Sequence, residues 1–98
     1  MTITDDKNGS ALTVKVEGRL DTTTAPELES HLATALDGIT DLTFDFEKLE
    51  YISSAGLRVL LSTVKKMNKQ GTMVVKNANE MVREVFDVTG FMDILNVQ

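Results

Sequence analysis

Cysteine is absent from all 98 residues, and proline and histidine occur once each. The missing thiols exclude disulfides and thiolate metal sites, and fit a reducing cytosol. No apolar run is long enough to span a bilayer. The opening MTITDDKNGS has neither the basic region nor the apolar stretch of a signal peptide. Lys and Arg form no block and the net charge is −5, which argues against nucleic acid as the main partner. The same charge keeps the chain soluble and favours a partner with a basic patch. The glycines form neither G-x-x-x-x-G-K-S/T nor G-x-G-x-x-G, so no phosphate-cradling loop is visible. The acidic residues lack the spacing of a calcium loop. No metal and no cofactor is expected.

What is present is ordinary for a globular chain: 42% hydrophobic and 26% charged residues. The length predicts one domain over residues 1–98, with enough chain to bury a core without disulfides or metal. Asn8-Gly9 is a turn signal between two strands. After it Leu12, Val14 and Val16 alternate with Thr13, Lys15 and Glu17, a strand buried on one face. Gly18 breaks the pattern and GRLD leads out. Thr24 and Glu27 have capping-box spacing and Pro26 suits a first helical turn. The helix that follows carries Ala25, Leu28, Leu32, Ala35 and Leu36 as its apolar stripe, and Gly38 ends it.

DLTFDFEKLEY reads as one strand, with Leu42, Phe44 and Phe46 on one side and Thr43, Asp45 and Glu47 on the other. The next helix places Leu57, Leu60, Leu61, Val64 and Met67 on one face and stops at Gly71. Thr72–Val75 is a short strand. Asn79 caps a third helix with Met81, Val82, Val85 and Phe86 inward, Gly90 ends it, and FMDIL adds a last helical turn that leaves Phe91 and Met92 partly exposed. The methionines Met67, Met73, Met81 and Met92 read as core filler or interface. The predicted fold is α/β: an N-terminal β-hairpin followed by alternating helices and strands, in a four-stranded mixed sheet. Strands covered on both faces are continuously apolar, whereas these alternate, so helices are expected mainly on one face.

The stretch LEYISSAGLRVLL, residues 49–61, joins a strand to a helix through two serines. Ligand crevices of such sheets lie beyond the carboxyl ends of the parallel strands. The loops GRLDTTTAPE and EYISSAGLR meet there if their strands are neighbours, which brings Asp21, Thr22, Thr23 and Thr24 near Ser53 and Ser54. A serine at this joint suits helix capping. A phosphate there is favoured by the helix dipole, and would bring roughly two negative charges beside Asp21. A nucleophilic serine needs a base. S-S-A-G is not the G-x-S-x-G elbow, and the lone His31, between Leu28 and Leu32, reads as a solvated helix flank. No catalytic residue is assigned. Asp45 and Glu47 read as a wet strand face.

VKVEGRLDTTTAPELE, LTFDFEKLEYISSAGLRVLL and VFDVTGFMDIL together resemble the STAS domain, in particular the small stand-alone anti-sigma factor antagonists of bacteria. The motifs that carry the resemblance are G-x-L-D at Gly18–Asp21, a phenylalanine-rich strand ending in Asp45, S-S-A-G-L at residues 53–57 and T-G-F at residues 89–91. The resemblance implies that Ser54 is a phosphorylated serine, with Ser53 as the alternative acceptor on a position usually held by aspartate. It implies that Asp21 is the aspartate of the neighbouring loop and Asp45 the strand aspartate. Thr22, Thr23, Ser53, Ala55, Gly56 and Leu57 would then surround the phosphosite and face the partner.

The implied mechanism is partner switching. The unphosphorylated protein binds an anti-sigma factor that is also a GHKL-type serine kinase, and so releases a sigma factor. Phosphorylation undoes the complex and a PP2C-type phosphatase resets it. ATP, Mg²⁺ and catalytic base would sit on the kinase. The chain itself would be a cytoplasmic non-enzyme, a monomer or weak dimer, bound neither to nucleic acid nor to membrane. The alternative is a STAS scaffold or regulatory subunit, in a transporter or a stress-signalling assembly, that is never phosphorylated.

Overall fold

The computed structural model describes residues 1–98. Strands β1 (Thr2–Asn8) and β2 (Ala11–Leu20) pair antiparallel, from Thr2 opposite Glu17 to Asn8 opposite Ala11. The reversal is therefore Gly9-Ser10, one residue later than the Asn8-Gly9 turn expected. Gly9 takes φ 62 while Ser10 stays outside the left-handed region. That is the pattern of a type II′ turn, which wants glycine first, and it leaves Asn8 in the ladder.

β2 is the spine of the sheet. It pairs in parallel with β3 (Asp41–Asp45) along Ala11–Lys15, and with β4 (Leu49–Ile52) along Gly18–Leu20. β5 (Thr72–Lys76) lies parallel to β3 on its other side. The mixed sheet has five strands rather than four, because the stretch expected as one strand is two. The Asp45 carboxylate accepts the Glu47 N–H at 3.0 Å, and Leu49 N–H bonds back to the Phe46 carbonyl at 3.0 Å. Such side-chain capture of the backbone two residues on is how aspartate starts a turn. The apolar alternation of Leu42, Phe44 and Phe46 runs through the break, so periodicity conceals it. A second irregularity falls between Gly18 and Arg19, where Gly18 takes φ 94.

Four helices complete the chain: α1 (Ala25–Ala35), α2 (Ser54–Met67), α3 (Glu80–Val88) and the single turn α4 (Phe91–Ile94). Leu12, Val14, Val16, Leu42, Phe44, Met73 and Val75 are buried on one face of the sheet. Their neighbours Thr13, Lys15, Thr43 and Lys76 are half-buried or exposed. The helices thus cover the apolar face, as the alternation implies. Leu28 and Leu32 of α1, Leu57 and Leu60 of α2, and Val82 and Phe86 of α3 close the core. Phe46 links two of its parts, with ring centroids 5.6 Å from Phe44 and 6.5 Å from Phe86. Both separations lie in the range where tilted rings attract.

Met81, expected inward, is 58% exposed. Val82 and Phe86 set the buried line of α3, and Met81 lies about a third of a turn off it. Gly71 stands where the chain leaves α2 for β5. A methyl group there would overlap the Thr40 carbonyl, and Thr72 N–H donates to that carbonyl at 2.8 Å. The need for glycine is thus the close approach of two backbones.

Candidate functional site

The site is assembled by the last pairs between β2 and β4. Arg19 lies opposite Tyr51 and Leu20 opposite Ile52, and the Ser53 N–H donates to the Leu20 carbonyl at 2.9 Å. The chain therefore leaves both strands side by side, at Asp21 and at Ser53. The two loops expected to meet are neighbours.

The Asp21 loop is held by its own side chains. The Asp21 carboxylate accepts the N–H groups of Thr23 at 3.0 Å and Thr24 at 3.2 Å, and the Thr24 hydroxyl at 3.3 Å. In return Asp21 N–H donates to Thr24 Oγ1 at 2.9 Å, and Ala25 N–H bonds the Asp21 carbonyl at 2.8 Å. This reciprocal pair is a capping box. It lies three residues earlier than the Thr24–Glu27 box expected from sequence; Thr24 makes no side-chain cap bond to α1. Thr24 Oγ1 is instead drawn back, donating to the Arg19 carbonyl at 2.8 Å. Asp21 is 29% exposed and all its hydrogen bonds are to this loop.

The backbone N–H of Thr24 above all holds the Asp21 carboxyl below its ordinary 3.8; desolvation, the next largest influence, opposes it, and the Thr23 N–H, the Thr24 hydroxyl and the Arg19 guanidinium add to the lowering. A depressed carboxyl contributes stability that is complete above its unfolded value and is lost as pH falls through its folded value. Asp21→Ala is expected to lower the melting temperature at neutral pH. The gap from the parent should narrow as melts are carried down towards about pH 2. A gap that stays constant across that range would contradict the ionic part of this role.

Ser53 occupies the cap position of α2, with extended backbone at φ −102 and ψ 176, yet its hydroxyl makes no cap bond. Ser53 Oγ is sealed from solvent without a hydrogen-bond partner. Ser54 is the first helical residue and its side chain is exposed. Leu57 N–H already bonds the Ser53 carbonyl at 3.0 Å. The amides of Ser54, Ala55 and Gly56 have no intrahelical acceptor, as at any helix start, and no side chain supplies one.

Gly56 explains how the helix sits so close to the strand ends. A Cβ there would come within 2.8 Å of Leu20 Cγ and 2.9 Å of Ile52 Cγ1. Gly56 and Leu57 are both buried, so their part in the site is to seat the first turn. Ala55 is half-buried and shares a surface depression with Thr22, Pro26, Glu29 and Arg58. Thr23 is exposed in the adjoining turn.

Three residues not singled out by sequence reasoning belong to these surroundings. Arg58 is exposed, stands four residues after Ser54, and is thus on the same side of α2 one turn on. Arg19 lies over the ring of Tyr51 at 4.3 Å and reaches Asp21 at 3.7 Å. Two residues do not come to the site. Asp45, besides holding its turn, accepts from Asn77 Nδ2 at 3.0 Å and is separated from Ser53 by the whole of β4. His31 is half-buried and bonds both carboxylate oxygens of Asp5 on β1, at 2.9 and 2.8 Å. It is not a base for Ser54. No group of three His, Asp or Glu side chains forms a metal site.

Residues 2–98 match the model of the STAS domain. The chain belongs to the STAS domain family. A Bordetella bronchiseptica protein named as an anti-sigma factor antagonist, BtrV, is 38% identical across 99% of this STAS chain and 85% of its own length. The anti-sigma-B factor antagonist of Bacillus subtilis is 30% identical across 93% of this chain and 84% of its own. The fold is shared with the Bacillus cell fate determinant SpoIIAA, solved in a phosphorylated form. The TM-score is 0.77 at 18% identity, covering 99% of this chain and 91% of that one. The relatives reported are thus regulators by name, and no helix of this STAS domain is long and apolar enough to cross a membrane.

Proposed function

We propose that this STAS domain is a cytoplasmic anti-sigma factor antagonist that works by partner switching, with Ser54 as its phosphorylated residue. The observation that carries the reading is the contrast at the start of α2. Ser54 presents an exposed hydroxyl on an uncapped helix start, while the Ser53 hydroxyl is sealed away. An acceptor needs only an accessible oxygen, because the kinase brings nucleotide, metal and base. The names of the relatives support an anti-sigma factor as the partner. In this reading that factor is a GHKL-type kinase, and a PP2C-type phosphatase restores the free hydroxyl.

Phosphate would add about 1.5 to 2 negative charges at pH 7. They would fall on a surface shaped for a neutral hydroxyl, in a chain already at −5. The free first-turn amides and Arg58 favour the phosphate on the protein itself. The same charge opposes an acidic or apolar partner surface that fits the unmodified loop. The domain therefore switches by changing what its surface accepts, with no rearrangement of the fold.

The test is calorimetric titration of the co-encoded anti-sigma factor with parent and Ser54→Asp. Affinity is expected to fall by roughly tenfold or more, the scale of losing or reversing one charge-assisted hydrogen bond, with the melting temperature unchanged. Equal affinities would remove the electrostatic switch. Absence of binding by the parent itself would favour the scaffold reading.

A further inference from the structure

The large apolar side chains most open to solvent all lie on the last two helices: Met81 is 58% exposed, Val88 76% and Ile94 48%. Met81 and Val88 are seven residues apart, on one side of α3 with about 10 Å between them along the axis. Half-buried Val85 lies between them. The core takes only Val82 and Phe86 from this helix, so its apolar surface is wider than the fold uses. Exposed apolar residues are common singly, but a stripe on one element marks an interaction surface.

The charge around the stripe selects the occupant. Residues 80–94 carry four acids, Glu80, Glu84, Asp87 and Asp93, against one base, Arg83, which is a net of −3 out of −5 for the whole chain. Arg83 is drawn towards the chain end, 3.4 Å from the Gln98 carbonyl. A second copy would set one acidic rim against another, and an anionic bilayer would be repelled likewise. A helix with an apolar face edged by Lys or Arg satisfies both features at once.

We propose that the outer face of α3 docks a basic amphipathic helix of a protein partner. Its residues are not those of the phosphosite: Met81, Val85 and Val88 belong to α3 and Ser54 opens α2, although both helices pack on β4. The inference does not rest on the phospho-switch.

The probe is a synthetic Leu/Lys amphipathic helix of about four turns, titrated into the full chain with methyl and amide NMR labels. Shifts are expected at Met81, Val85 and Val88, and none at Ala55 or Val59. A Leu/Glu counterpart should not bind, and added salt should weaken the Leu/Lys complex. The double variant Met81→Ser/Val88→Ser should bind roughly tenfold or more weakly. Both side chains are largely exposed, so its melting curve should match the parent's. Ser54→Asp should bind the probe like the parent, which separates this surface from the proposed switch.

The proposal is overturned by shifts centred on the open sheet face or on α2, or by undiminished binding of the double variant. It is also overturned if these residues shift with protein concentration alone, which would mean a second copy. A response to phosphatidylserine vesicles in place of the peptide would mean a lipid surface and would overturn it too.

Discussion

Ser54→Ala is expected to reduce phosphate transfer from labelled ATP to background when the co-encoded kinase is added, whereas Ser53→Ala should be labelled like the parent. Both residues are serines, adjacent, and lie beside the same loop. Their difference is positional. Ser53 still belongs to the strand end: its N–H is tied to Leu20 and its hydroxyl is enclosed. Ser54 has begun the helix and is exposed to solvent. In-line attack on a phosphoryl group needs the acceptor within near-contact of the phosphorus, and an enclosed oxygen is not available to an active site on another protein. Phosphopeptide mapping of parent and both variants makes the check direct. Label on Ser53 in the parent, or persistent labelling of Ser54→Ala, would move the acceptor. No label on any form with any co-encoded kinase would leave the domain a scaffold.

Gly71→Ala is expected to be the most destabilising single-methyl change in the molecule, by about 3 kcal/mol or more. At an unstrained position the same replacement stabilises by about 0.4–1 kcal/mol through the unfolded chain. Here the sign reverses because the methyl would meet main-chain atoms: Thr40 C at 2.6 Å and Thr40 Cα at 2.7 Å, besides the carbonyl oxygen. A flexible side chain could swing aside, but Thr40 cannot. It accepts from Thr72 N–H, while its own N–H donates to the Ser10 carbonyl at 2.9 Å. Relieving the overlap therefore disturbs the entrance to both β3 and β5. A loss of that size lowers the melting temperature by roughly 12 °C or more in a domain near 100 residues. Urea unfolding provides the free energy. A loss below about 1 kcal/mol would show that α2 and β5 can separate without cost.

The elements with one strong period were legible from residues alone. The alternation in β2 and β3 and the leucine face of α2 state which side is buried, and the alternation also implied a sheet covered on one face. The break between β3 and β4 was not, because Phe46 keeps the phase of Leu42 and Phe44 while Asp45 turns the backbone. The start of α1 was not legible either. Thr24–Glu27 matches the capping-box pattern by residue type and spacing, whereas Asp21–Thr24 lacks its usual glutamate or glutamine, so local pattern points to the wrong pair. What chooses is tertiary: the end of β2 holds Thr24 by the Arg19 carbonyl. The meeting of the two loops followed from strand order, so the setting of Ser53 and Ser54 was accessible. The stacking of Arg19 on Tyr51 was not, since it depends on the register slip at Gly18. Arg58 follows from helical spacing once Ser54 is taken as the first residue of α2.

The empty cap at Ser53 has a mechanical consequence. A side-chain cap typically stabilises a helix start by about 1 kcal/mol, and α2 forgoes it. The first turn of α2 therefore unwinds with less work than a capped one, in the manner of local fraying that leaves the rest of a fold intact. Beneath it, Gly56 wedges against Leu20 and Ile52, and Leu57 is buried, so the loosening stops within one turn. The start of α2 is thus a short lip carrying Ser54 over a fixed base, and under the proposed switch it is the part of the domain a kinase would engage.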